Sequence, residues 1–153
     1  DKLDYKGYNE FIAMKLWQFI GSDYVLLVQN DGYILDGKLW TNEFFKYDYC
    51  GAPWPVKTHF TKQGEEVRVG NGGFSFRSRR LLRAPTILDL EFTDNGTGFW
   101  HEDGFLCVHS RNDLEQSGIK FAPIHIAAQF STELVVPEAE GIKPFGFHRY
   151  LPK

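Results

Sequence analysis

Cysteine is scarce in this sequence, charge of one sign does not dominate, and long apolar runs are missing. Each shortage excludes something. The two cysteines, Cys50 and Cys107, lie far apart, with no Cys-x-x-Cys pair and no Cys/His spacing suited to zinc. That pattern points to a reduced, intracellular setting, with the cytoplasm as the expected compartment. No stretch reaches the roughly 18 consecutive apolar residues of a membrane-spanning helix. Lys and Arg number 17 against 20 Asp and Glu, a formal net charge of −3. No global field therefore draws the chain toward nucleic acid or an anionic membrane. There is no visible signal peptide, internal repeat, linker or low-complexity tract. The chain begins at Asp1 without a Met, which reads as a removed or trimmed N-terminus.

What is abundant is aromatic: 16% of residues, with 14 Phe, 7 Tyr and 4 Trp. Such rings fill cores first and line stacking pockets second. A chain of 153 residues fits one domain with a substantial core. Tyr8, Phe11, Ile12, Leu16, Phe19 and Ile20 recur at helical spacing, predicting an amphipathic helix over Tyr5 to Ile20. The apolar run from Tyr24 to Gln29 predicts a strand buried on both faces, followed by a turn at Asn30-Asp31-Gly32 and a short strand over Tyr33 to Leu35. Glycines and prolines, Gly64 among them, make Tyr47 to Asn71 loop-like. Gly73 to Arg77 reads as a strand, with Ser78 capping a helix that begins there. Asp94 to Gly98 is a turn. Phe105 to Gln116 is helical and ends at Gly118. Lys120 to Ala128 is short strand material broken by Pro123, and the tail after Pro137 is irregular.

Four constellations can carry chemistry. In Gln29-Asn30-Asp31-Gly32 a carboxylate at a strand end can reach a divalent cation that bridges phosphates, or simply make a hairpin turn. The glycines of Val69-Gly70-Asn71-Gly72-Gly73-Phe74-Ser75 let backbone approach a ligand closely, or form a plain loop tip. This run is neither a dinucleotide fingerprint nor a P-loop. His101-Glu102-Asp103-Gly104 offers a general base and a hydroxyl-binding group, or helix capping. Phe145-Gly146-Phe147-His148 can place an imidazole on a metal. His59, His109 and His125 have no comparable context and read as structural. Arg77, Arg79, Arg80 and Arg83 can meet a diphosphate or form a solvated helix face. Trp54, in Gly51-Ala52-Pro53-Trp54-Pro55, can stack on a base or sugar, or pack.

Taken in order, Val28 to Leu35, Tyr47 to Trp54, Val69 to Ser78, Glu102-Asp103, Gly118 to Pro123, Phe130-Ser131 with Glu133, and Phe145 to His148 resemble a family of glycosyltransferase-like proteins. The most specific pieces are Gly-Ala-Pro-Trp and Gly-Asn-Gly-Gly-Phe-Ser. The resemblance implies a single α/β domain with a mixed sheet, of the nucleotide-diphosphosugar transferase (GT-A) type. Only 30 residues precede Asp31, so the first βαβ segment of that fold is expected to be missing and the domain shortened at its N-terminus. The implied activity is metal-assisted, inverting transfer of a sugar from a nucleotide-sugar donor to a glycan or other acceptor. Asp31 and His148 would hold Mn²⁺ or Mg²⁺. Gln29, which stands where such a motif carries its first Asp, would line the donor site with Trp54, Asn71, Gly72, Gly73 and Phe74. Asp103, or else Glu102, would be the base. The alternative is a catalytically inactive carbohydrate- or nucleotide-binding module of the same fold.

Overall fold

Asp4 starts the first helix by accepting a hydrogen bond on its carboxylate from the Gly7 N–H at 2.7 Å. From there α1 (Tyr5–Glu10) runs unbroken into a π-helical turn, Phe11–Lys15, and a 3₁₀ turn, Leu16–Phe19. One helical run thus covers most of the expected span. Its inward face is narrower than the periodicity suggests: Asn9, Ile12 and Ala13 are buried, whereas Phe19 is exposed.

The computed structural model describes residues 2–56, 67–94, 96, 98 and 100–149. His59 and Gly64 lie outside the described residues. Within them the strands are β1 (Tyr24–Val28), β2 (Gly32–Ile34), β3 (Tyr49–Cys50), β4 (Ala52–Pro53), β5 (Val69–Gly70), β6 (Phe74–Ser78), β7 (Ser131–Thr132) and β8 (Gly146–His148). The remaining helices are α2 (Arg79–Ile87), α3 (Glu102–Gly104), α4 (Arg111–Gln116) and α5 (Ile124–Phe130). The strands form small sheets: β1-β6-β3, antiparallel; β2-β8-β7, mixed; and the pair β4-β5. This is an α/β domain, with its strands divided among several sheets rather than gathered into one.

Four local expectations are corrected. β1 is an outer strand, half-buried along its length with Val28 exposed, and the strand buried at every position is its neighbour β6. The stretch from Tyr47 to Asn71 is not simply loop, because Asp48 to Trp54 is buried and carries β3 and β4. Ile124 to Phe130 is helix rather than strand material. Pro123 stands at its N-cap, where a missing N–H costs nothing, and Ile126, Ala127, Ala128 and Phe130 form the inward face. The tail is not irregular throughout, since Gly146–His148 is the central strand of its sheet. Ser78 does cap α2, accepting from the Leu81 N–H at 3.0 Å, and Gly118, at φ +90°, follows α4.

The aromatic surplus is mostly core. Phe44, Phe74, Phe76, Phe130 and Phe145 are buried together, with Trp40 and Phe45 against them at ring separations of 5.0 to 6.4 Å. A second cluster joins Tyr49, Trp54, Leu81, Leu106 and Leu114. Cys50 and Cys107 are buried and free, and burial pushes both thiols up to about 12.

Candidate functional site

Four strand pairings end beside one another, and the residues just past their ends enclose a cleft of about 390 Å³. Antiparallel β1 and β6 finish at Val28↔Phe74, and the Gln29 N–H then donates to the Gly73 carbonyl at 2.8 Å. β2 and β8 pair Gly32 with His148, and the Arg149 N–H donates to the Asp31 carbonyl at 3.1 Å. Parallel β7 and β8 carry Glu133 alongside. β4 and β5 deliver Trp54 and Asn71. Gln29, Asp31, Trp54, Asn71, Gly72, Gly73, Glu102, Asp103 and His148, all read as site residues from the sequence, line this one cleft. Phe74 does not: it is fully buried in the aromatic core, its ring filling the space a Cβ on Gly146 would need.

Asp31–Gly32 does make a turn, since the Gly32 N–H reaches the Gln29 carbonyl at 3.0 Å. It is no hairpin, because β1 pairs with β6 and β2 with β8. The turn leaves the Asp31 side chain half exposed, with Oδ1 3.1 Å from His148 Nε2. That contact has no hydrogen-bond geometry, and Nε2 is buried without a hydrogen-bond partner. On the other side of the ring, Nδ1 lies 3.3 Å from Glu133 Oε1. A carboxylate at Nδ1 fixes the imidazole with Nε2 facing Asp31, an arrangement that also supports metal-binding histidines. Adjacent ligands around a cation with bonds of about 2.1 Å stand roughly 3 Å apart, which the Asp31–His148 spacing matches. Among the described residues no group of three or more His, Cys, Asp and Glu is arranged to hold a metal ion. Asp31 and His148 stand close enough for one cation to touch both.

The glycine run has a steric purpose. A Cβ on Gly72 would lie 1.5 Å from Glu102 Oε1, one on Gly73 would lie 2.1 Å from His148 Nε2, and one on Gly70 would lie 2.2 Å from the Trp54 ring. The space left by these glycines is filled by the site's own side chains. Between them, Asn71 adopts φ +72° while almost wholly buried, its Oδ1 accepting from the Gly73 N–H at 3.0 Å.

The two acids of the Glu102-Asp103 pair part company. Glu102 is buried against Arg77, with Nη2 donating to Oε1 at 2.9 Å and Nη1 2.7 Å from Oε2. Burial pushes the Glu102 carboxyl up, and the Arg77 guanidinium opposes it. Asp103 is half-buried and, among the described residues, has no cationic partner within salt-bridge range. Its Oδ2 accepts from the Gly72 N–H at 3.0 Å and its Oδ1 from the Gly104 N–H at 2.8 Å. Burial nonetheless holds its carboxyl above the ordinary aspartate range.

Sequence reading gave no role to several lining groups. Tyr5, Tyr8 and Asn9 of α1 form one wall: Tyr8 Oη accepts from Gln29 Nε2 at 3.2 Å, and Asn9 Oδ1 accepts from the Glu102 N–H at 3.0 Å. Tyr5 Oη lies 2.6 Å from His101 Nδ1. Glu133 joins two walls, since its Oε2 also accepts from the Trp54 indole N–H at 3.3 Å. Arg149, at φ +69°, stands 3.9 Å from Glu133 Oε1. Asn9 carries no local signal of its own beyond lying in the predicted helix. Glu133 belongs to the motifs that carry the resemblance, but its place in the cleft comes from the pairing of β7 with β8.

Among the described residues no helix is long and apolar enough to cross a membrane. Neither the curated proteins nor the solved structures contain a match to the chain. The match lies with a protein family: residues 3–148, nearly the whole sequence, fit the one described as "Protein of unknown function (DUF5672)", and the chain belongs to that family.

Proposed function

We propose that the cleft is the active site of a glycosyltransferase, which moves a sugar from a nucleotide-diphosphate donor to an acceptor hydroxyl with a divalent cation, Mn²⁺ or Mg²⁺. One observation carries the reading: Asp31 and His148, 3.1 Å apart, share a cleft with Asp103, a separate carboxylate. A bound cation there supplies positive charge against the departing nucleoside diphosphate. Asp31 and His148 would hold it, with Glu133 keeping the imidazole turned toward Asp31. Arg149, beside them, adds a second positive charge near the phosphates. Trp54, buried and pinned through its N–H by Glu133, backs the cleft wall.

Asp103 accepts the proton of the acceptor hydroxyl as that oxygen forms its bond to the sugar. A carboxylate raised by burial is a better base than an exposed one. Its two backbone N–H bonds use only part of its accepting capacity and fix its direction. Glu102 is the weaker choice for this role, being held by Arg77. With Asp103 as base and Asp31 assigned to the cation, the proposal is a single displacement with inversion. The GT-A kinship stays within this proposal and rests on the order of the motifs.

A binding module without turnover is the second reading. What favours it is that both Asp103 oxygens have a structural use in joining Gly72 to α3. Transfer and hydrolysis assays with uridine- and guanosine-diphosphate sugars, run beside calorimetric binding, separate the two readings. The proposal predicts turnover in the wild-type chain. Asp103→Asn is expected to bind nucleoside diphosphate as before and to lose about 10²- to 10⁴-fold in rate. Nucleotide binding with no turnover in the wild type would select the module instead.

A further inference from the structure

The arginines that cluster in the sequence do not share one environment. Arg77 is wholly buried and neutralised by Glu102. Arg79, Arg80 and Arg83 border a different depression, of about 530 Å³, which has no lining residue in common with the cleft. Lys46 and Lys120 complete five cations there, against two acids, Asp23 and Asp48. Asp48 is fully engaged: its carboxylate accepts from the Ser78 hydroxyl at 2.6 Å, Arg80 at 2.9 Å and the Lys120 N–H at 2.8 Å. Lys46 pairs with Glu43 at 2.7 Å. Arg79, Arg83 and Lys120 are left without an ion pair among the described residues, Arg83 lying 5.4 Å over the Trp17 ring.

That arrangement works against the fold. Arg79 and Arg83 lie one turn apart on α2, where like charges repel. The Nε of Arg79 is shut off from solvent with no acceptor, a state that costs free energy. A chain of net charge −3 has gathered unpaired cations around one concavity, which an anion would relieve. Guanidinium forks match phosphate oxygens in pairs, and an ammonium adds a point charge. Tyr24 and Ile87 give the same depression an apolar wall.

We infer that this depression is a second binding site, independent of the proposed transferase cleft, and that its ligand carries a phosphate group contacted by Arg79, Arg83 and Lys120. The source of the phosphate is either a soluble molecule or a lipid headgroup.

The test titrates pyrophosphate calorimetrically into the full chain with EDTA present, so that no divalent cation recruits it to Asp31 and His148. A parallel arm sediments the chain with phosphatidylcholine vesicles containing phosphatidic acid. Binding in the first arm identifies a soluble ligand, and binding in the second a lipid-borne one. In either case the Arg79→Gln/Lys120→Gln chain is expected to bind about tenfold or more weakly, with thermal melts confirming that it folds. Arg83→Gln repeats the measurement from a second position, so one misfolded variant does not end the test. No binding in either arm, or equal binding by wild type and both variants, overturns the inference.

Discussion

Arg77 and Glu102 show most plainly what single side chains do here. Both are buried, so each would be an isolated charge without the other. Replacing Arg77 by Met is expected to cost about 3–5 kcal/mol in urea denaturation, because Glu102 is left unpaired. Arg77→Met with Glu102→Leu should recover most of that loss. A double replacement as unstable as the single one would show that the pair is not the source. Asp103 gives a pH signature. Its carboxyl is raised on folding, so the native chain keeps a proton that the unfolded chain has released. Its contribution is therefore present below the unfolded pKa and is lost as pH rises through the folded one. Urea midpoints of wild type should fall across that window more steeply than those of Asp103→Asn, by at most about 1.4 kcal/mol per pH unit. Parallel curves would remove Asp103 as a burial-raised group. Gly73→Ala puts a methyl where His148 Nε2 sits. Overpacking of that kind costs about 1–3 kcal/mol, read from the same melts, and the displaced imidazole should weaken Mn²⁺ binding.

The junction of β6 with α2 holds the molecule's framework. Ser78 caps the helix through Leu81, its hydroxyl donates to Asp48, and its N–H reaches the Asp48 carbonyl at 2.8 Å. Ser78→Ala removes both hydroxyl bonds and is expected to lower stability by about 1–2 kcal/mol. A melt within error of wild type would contradict the cap. This junction was legible from the sequence, because a serine before a helical run is a local signal. So were the first helix and the acid and glycine motifs. The errors share one physical cause. Ile124 and Ile126 alternate like strand residues, but the core receives Ala127, Ala128 and Phe130 from a helix. Phe147 and His148 look irregular between Gly146 and the tail until β2 and β7 pair on either side of them. β1 is apolar enough to be central, yet among the described residues only β6 adjoins it. Partners distant in sequence decide each case.

At the scale of the molecule, the described residues form two separate depressions, one mixed in charge and one basic, on a core rich in phenylalanine. Nine of the ten residues proposed from the sequence as catalytic, binding or metal-holding groups line the first depression, and Phe74 alone went to the core. Sequence motifs named the members, and the ends of paired strands gathered them. The cation is the part of the account most open to direct spectroscopy. Mn²⁺ added with uridine diphosphate is expected to show, by pulsed electron paramagnetic resonance, coupling to one directly bound imidazole nitrogen. That coupling should vanish in His148→Ala, and the affinity should fall in Asp31→Ala. Bound Mn²⁺ with no nitrogen coupling, and unchanged by either substitution, would contradict the assignment of Asp31 and His148 and with it the metal-assisted cleft.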